Sequence, residues 1–179
     1  HEALDGAVLV LVVVSVDEDP AGVGEDPGGQ PLPRGRGAQP REQAEHAGLQ
    51  HLLRDLNRLY VGAPALGTHD YDPASFRWVN CNDAEQSVLS FLRTDGGGKE
   101  FYLIVGNFTP VTRSFYRVGV PQAGYWTEVL NTNAEAYGGT GIGNHGGSAS
   151  EDEERDGFAQ SLSLTLPGLS TLVFKWTLG

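Results

Sequence analysis

The strongest candidates for catalytic residues in this sequence, by residue type and spacing, are two pairs of carboxylates. Asp70 and Asp72, and likewise Asp83 and Glu85, stand two positions apart. Hydrolysis of a glycosidic bond needs two carboxylates flanking that bond, with the pKa of one raised. We expect these four in exposed connecting loops, where carboxylates are usually just solvated. The sequence therefore predicts no catalytic residue.

Other motifs that could bind a metal or a cofactor are equally weak. The run Gly138–Gly143 is glycine-rich, but no predicted strand precedes it, no helix follows it, and no Lys stands where a phosphate would need one. No two histidines have metal-ligand spacing backed by a third ligand. Cys81 has no neighbouring base, which indicates a plain thiol on a strand. We expect neither a metal nor a cofactor.

The charge and composition exclude several classes of partner. A net charge of −11 disfavours nucleic acid and anionic membrane surfaces, and it suits a neutral ligand such as a polysaccharide. The longest apolar run, Ala7–Val14, is too short to span a membrane. A single cysteine forms no internal disulfide. We expect a soluble, cytoplasmic protein, and a fragment of a longer one, since the chain starts at His1 and contains no methionine.

The elements that position these residues fall into three parts. Residues 1–44 are atypical and rich in Gly and Pro from residue 18 onward, which predicts an irregular or disordered segment. Residues 45–62 repeat leucine at three- and four-residue spacing, typical of an amphipathic helix. The leucines of this face are Leu49, Leu52, Leu53, Leu56 and Leu59. Residues 63–179 form the third part.

This third part reads as short strands separated by turns. The candidates are Phe76–Cys81, Ser87–Arg93, Phe101–Phe108, Tyr116–Val120, Tyr125–Leu130, Ser161–Leu166 and Thr171–Trp176. Short strands with no helices between them predict a mainly β fold, an antiparallel β-sandwich preceded by one amphipathic helix. The insertion Ala134–Arg155 is glycine-rich and acidic, which indicates a flexible surface loop.

Aromatic residues near this insertion could bind a neutral glucan. Tyr125, Trp126 and Tyr137 lie close to it in sequence, and sugar rings stack their C–H faces on exposed aromatic rings. The alternative, which we favour slightly for Trp126, is a large side chain buried between two sheets. Exposure of Trp126 and Tyr137 on one face would indicate binding, and burial would indicate a structural domain. We expect four further aromatic residues in the core: Phe76, Trp78, Phe91 and Tyr102.

Several motifs resemble bacterial 1,4-α-glucan (glycogen) branching enzymes of the α-amylase superfamily. They run in family order from about His46 to Val173. The motifs are His46–Gln50 (HAGLQ), Arg54–Tyr60 (RDLNRLY), Asn107–Val111 (NFTPV), Tyr116–Pro121 (YRVGVP), Glu128–Thr132 (EVLNT) and Ser161–Pro167 (SLSLTLP). The upstream motifs of the family are absent from residues 1–44, which suggests that this segment is translated out of frame or joined wrongly.

The resemblance implies the C-terminal region of an enzyme that transfers α-1,4-glucan chains to form α-1,6 branches in glycogen. It implies a retaining mechanism whose three carboxylates lie upstream, in a (β/α)₈ barrel. Residues 45–62 would be the last barrel helix, with its leucine face packed on the barrel, and residues 63–179 the C-terminal all-β domain. The chain itself is then structural and inactive. The alternatives are a stand-alone glucan-binding module, or the C-terminal domain of another α-amylase-superfamily enzyme.

Overall fold

The N-terminal part of the described chain is helical. The structure, a computed structural model, describes residues 46 to 67 and 72 to 178. Helix α1 covers Ala47–Gly62 and is followed by the single turn α2, Pro64–Gly67. The predicted helix is therefore confirmed, and it ends where Gly62 and the following Pro64 predict. The predicted irregular segment 1–44, together with Asp70, lies outside the described residues.

Eight strands follow, and all seven predicted strands are among them, with ends that differ by at most three residues. The strands are β1 Phe76–Asp83, β2 Val88–Thr94, β3 Glu100–Asn107, β4 Arg113–Val120, β5 Tyr125–Asn131, β6 Gly147–Ala149, β7 Gln160–Leu166 and β8 Ser170–Thr177. Strand β6 was not predicted, because three small residues carry no alternating apolar pattern.

The strands form two antiparallel sheets that enclose the core. One sheet has the order β1-β2-β3-β8-β5-β6, and the other consists of β4 and β7. The alternation of SLSLTL turns the three leucines of β7 inward. The buried cluster joins both sheets and includes Leu103, Val105, Val118, Leu162, Leu164, Leu172, Phe174 and Trp126. The predicted antiparallel sandwich is thereby confirmed.

The outer face of the six-stranded sheet is also buried, and α2 lies on it. Since Leu103 and Val105 face the core, Ile104 between them faces outward. Phe91, Ile104 and Val173 are paired in register across β2, β3 and β8, and all three are buried. Ala65 and Leu66 of α2 are buried as well, and α2 contacts β2 and β3. The helical segment thus forms a third layer over this sheet.

One prediction about buried apolar residues needs correction, and one apolar face is partly covered within the chain. Leu52 is only 9% exposed, so at this position the leucine face of α1 is already covered by the chain itself. Trp78, expected in the core, is 38% exposed. It lies on the edge strand β1, where its ring contacts Phe76 and Phe91 at centroid distances of 5.1 and 5.8 Å. An edge strand has a neighbour on one side only, which leaves one side of the indole uncovered.

The NFTP motif has a structural role at one end of the sandwich. The side-chain amide of Asn107 donates to the carbonyl oxygens of Val111, Leu166 and Pro167 at 2.8, 3.3 and 2.9 Å. Its Oδ1 accepts from the hydroxyl of Thr109 at 2.8 Å. Asn107 is buried, and its amide therefore joins the β3–β4 connection to the β7–β8 connection without leaving a polar group unsatisfied.

Candidate functional site

The three aromatic residues predicted to bind glucan are separated by the fold. Tyr125 and Trp126 are consecutive in β5, so their side chains lie on opposite faces. Tyr125 is 56% exposed, whereas Trp126 is 0% exposed within the core. The indole Nε1 of Trp126 donates to the carbonyl oxygen of Gln122 at 3.1 Å. Trp126 offers no ring face to a sugar, and its burial is the outcome that indicates a structural domain.

Tyr137 lies in a groove, and it joins the glycine-rich segment to α1. Its hydroxyl donates to Oδ2 of Asp55 at 2.9 Å. Burial and this hydrogen bond raise the pKa of Tyr137 to about 12. Close contact at Gly48 adds a second connection, since a Cβ atom there would lie 2.4 Å from the Tyr137 carbonyl oxygen. Only glycine allows α1 this close to the loop.

Side-chain hydrogen bonds give the glycine-rich segment a defined conformation, contrary to the expectation of a flexible loop. The carboxylate of Glu128 accepts from the backbone and side-chain nitrogens of Asn144 at 3.1 and 2.8 Å. Asn144 also binds the backbone of Thr165 in β7. Nδ2 of Asn131 donates to the carbonyl oxygen of Ile142 at 2.9 Å. Asparagine can replace backbone partners in this way, and a glycine count alone does not reveal it.

The groove containing Tyr137 lies between α1 and the outer face of the six-stranded sheet, and its volume is about 400 Å³. Asp55 and Arg58 form the α1 wall, where they pair at 3.1 Å. Lys175 of β8 lies on the sheet wall and pairs with Glu100 at 2.6 Å. Further lining residues are Leu59, Gly62, Ala63, Tyr102 and Val129.

The charged groups of the sheet wall support one another. Burial by itself would lower the pKa of Lys175, but hydrogen bonds to Glu100 and Tyr102 outweigh that effect and raise it. Burial also raises the pKa of Tyr102, whose hydroxyl donates to Oε1 of Glu100 at 3.3 Å. Lys175 is therefore a cation and Tyr102 a neutral phenol at neutral pH.

Of the carboxylates considered for catalysis, three lie in the described part of the chain, and two of these have structural roles. Asp72 caps the 3₁₀ turn Pro73–Ser75, accepting from the backbone nitrogen of Ala74 at 2.9 Å. Asp83 accepts from the hydroxyl of Tyr116 at 2.8 Å. Glu85 is exposed in the β1–β2 turn.

The described residues give no indication of a metal centre or a membrane span. Within residues 46–67 and 72–178, no three or more His, Cys, Asp or Glu side chains are grouped so that they could hold a metal ion. The same part of the chain contains no helix with the length and apolar character that a bilayer crossing requires. Cys81 is a free, exposed thiol.

Sequence reasoning missed Asp55, Arg58 and Lys175 as parts of a groove. The helical period puts Asp55 and Arg58 on the face of the helix opposite the leucines, which by itself indicates only exposed side chains. The alternation of β8 could have placed Lys175 on the face opposite Phe174 and Trp176. No local pattern links a helix residue to one more than a hundred positions later. The juxtaposition becomes visible only once the sheet order is known.

Comparison with known proteins identifies relatives over about three quarters of the chain. Residues 78–177 match the family described as alpha amylase, C-terminal all-beta domain. A 1,4-alpha-glucan branching enzyme of Aquifex aeolicus (strain VF5) is 50% identical over 134 residues, which cover 75% of this chain and 21% of that enzyme. One from Xanthomonas axonopodis pv. citri (strain 306) is 50% identical over 132 residues, 74% of this chain and 18% of that enzyme.

The resemblance to branching enzymes seen in the motifs is thereby confirmed, and the chain spans about a fifth of the length of these curated relatives. Among solved structures, the trehalulose synthase MutB from Pseudomonas mesoacidophila MX-45 is 21% identical with a TM-score of 0.46, over 75% of this chain and 19% of that one.

Proposed function

Because the chain belongs to the family of alpha amylase C-terminal all-beta domains, we propose that it is the C-terminal part of a 1,4-α-glucan branching enzyme. The observation that carries this proposal is the 50% identity to the Aquifex enzyme over 134 residues. The parent enzyme cleaves an α-1,4-glucan chain and transfers it to a 6-hydroxyl group, forming an α-1,6 branch. Its substrates are glycogen and amylose.

The chain alone has no part in the bond-breaking chemistry. Retaining transfer needs a carboxylate nucleophile and a carboxylic acid about 5–5.5 Å apart across the bond. Asp72 and Asp83 are instead held by a turn and by Tyr116. We expect the purified chain to leave the iodine colour of amylose unchanged. Appearance of new α-1,6 branches would contradict this part of the proposal.

The role we propose for the chain is support of a catalytic barrel through α1. Leu53 is 36% exposed, and Tyr60 and Val61 on the same helix are also exposed. About four-fifths of the relatives' length lies outside this chain, so a large partner is available to cover these side chains. The barrel would cover Leu53 and the partly exposed Leu49, Leu56 and Leu59. Leu52 needs no barrel, because the chain already buries it.

A chimera tests this role. The matching 134-residue region of the Aquifex enzyme is replaced by that of this chain, and branching of amylose is followed by iodine staining and debranching analysis. We expect an active chimera, which Leu53→Glu destabilises much more than it destabilises the isolated chain. A folded chimera without branching activity would refute the assignment to branching enzymes. Equal sensitivity of the chimera and the isolated chain to Leu53→Glu would refute the barrel contact.

A further inference from the structure

We propose that the groove between α1 and the outer face of the six-stranded sheet binds a glucosyl unit of an α-glucan. The inference rests on the proposed function, which supplies α-glucan as the class of ligand. The volume of about 400 Å³ falls at the lower end of the roughly 300–1,000 Å³ that is usual for small-molecule sites. A space of this size suits a short part of a chain whose ends continue into solvent.

The charges of the groove favour a neutral ligand. Asp55 pairs with Arg58 on the α1 wall, and Glu100 pairs with Lys175 on the sheet wall. Each wall therefore carries one positive and one negative group, although the whole chain has a net charge of −11. An anionic ligand finds no excess of positive charge here, whereas a ligand with many hydroxyl groups can use the donors and acceptors of both walls.

Both cations keep hydrogen-bond donors that the protein does not use up. Arg58 gives one Nη1 hydrogen to Asp55, and its side chain is 76% exposed. A guanidinium group has five N–H donors, so others are directed toward solvent and the groove. Lys175 pairs with Glu100 through an ammonium group that has three hydrogens. Sugar hydroxyls can accept hydrogen bonds from opposite walls of the groove.

Apolar side chains between these walls match the C–H face of a pyranose ring. Val129 is 37% exposed, and it lines this space together with Ala63 and Tyr137. The ring of Tyr137 is fixed by its hydrogen bond to Asp55, so little conformational freedom is lost when a sugar contacts it. A few polar groups around an apolar surface are typical of sites for small amphipathic ligands.

The test is a titration of the full 179-residue chain with maltoheptaose, followed by NMR chemical shifts. We expect a dissociation constant on the order of 1 mM, a weak affinity in keeping with an open groove. Val129→Arg places a long side chain in the groove, and Arg58→Ala removes one donor from its wall. Each should weaken binding at least about fivefold, a difference readily measured.

Matched controls separate the groove from general effects of charge or folding. Val111→Arg adds the same side chain at an exposed turn, and Arg54→Ala removes an exposed arginine from the same helix. Both should bind maltoheptaose as the unchanged chain does. Arg58→Ala keeps the proposal falsifiable if Val129→Arg fails to fold, because the Arg58 side chain is mostly in solvent.

Four outcomes would overturn the inference. The first is that the folded chain does not bind maltoheptaose at a concentration about ten times the expected dissociation constant. The second is that both groove variants bind as well as the unchanged chain, and the third is that only Tyr125→Ala loses binding. The fourth is that glucose 1-phosphate binds more tightly than maltoheptaose. An active chimera whose groove variants bind normally refutes the groove alone. An inactive chimera, with binding lost in the groove variants, refutes the branching-enzyme assignment alone.

Discussion

Replacing Leu52 with Glu tests whether α1 is part of the β-domain or only a helix awaiting a barrel. Leu52 and Leu53 are neighbours in α1, but their exposed fractions are 9% and 36%. Leu and Glu have similar helix propensities, so the same change at both positions alters the helix itself equally. The difference between the two variants therefore reports what covers each side chain.

The expected magnitudes follow from burial. Exposing a buried leucine loses roughly 1.5–3 kcal/mol, and burying a carboxyl group in its place adds roughly 1–3 kcal/mol. We expect Leu52→Glu to lower the free energy of unfolding by about 3 kcal/mol or more, which lowers the Tm by roughly 10 °C. At Leu53 the carboxylate can reach solvent, and we expect a loss below about 1 kcal/mol.

Thermal unfolding followed by near-UV and far-UV circular dichroism distinguishes the outcomes. The near-UV signal reports the packed aromatic residues of the sandwich, and the far-UV signal includes α1. If Leu52→Glu removes helical signal but leaves the near-UV transition in place, the helix is only loosely attached and the reasoning is wrong. Equal shifts for the two variants would show that the difference in burial has no energetic consequence.

Three further predictions concern single side chains. Tyr137→Phe should lower the free energy of unfolding by about 1 kcal/mol. Because the pKa of Tyr137 in the folded chain is raised to about 12, this stabilisation is complete below pH 10 and is lost as the pH rises through 12. The unfolding curves of the two proteins should therefore converge at that pH. Gly119→Ala should lower the free energy of unfolding, measured in urea, by roughly 1–3 kcal/mol, because the added Cβ atom would lie 2.1 Å from the Arg155 carbonyl oxygen. Phe115→Asn should raise the free energy of unfolding by about 1 kcal/mol, as Phe115 is 86% exposed at a φ of 58°; a lower Tm would mean that the ring makes a contact worth more than the backbone strain.

Much of the fold was predictable because local patterns determine it. The leucine spacing fixes α1, and the alternation in Ser161–Leu166 fixes both the strand and its buried face. The three-residue strand β6 and the order of the sheet have no such local pattern. Trp78 shows the same limit, since its exposure depends on β1 lying at the edge of the sheet.

The candidate site was predictable only in part. Tyr137 was singled out because it is aromatic and close to a glycine-rich segment, and it does line the groove. Trp126 was predicted to bind glucan for the same reason, but the alternation of side chains along β5 places it in the core. Asp55 and Lys175 line the same groove although they lie in distant parts of the chain, and no periodicity encodes that proximity.

The position of β8 bears on how the domain is made during synthesis. This last strand lies between β3 and β5 in the middle of the sheet and is hydrogen-bonded to both. Until β8 has left the ribosome, the edges of β3 and β5 that pair with it are open, and one face of the core is uncovered. Open strand edges are prone to pairing with other chains. The six-stranded sheet can therefore close only once β8 has been synthesised, and a message truncated shortly before β8 yields a chain without a closed sheet.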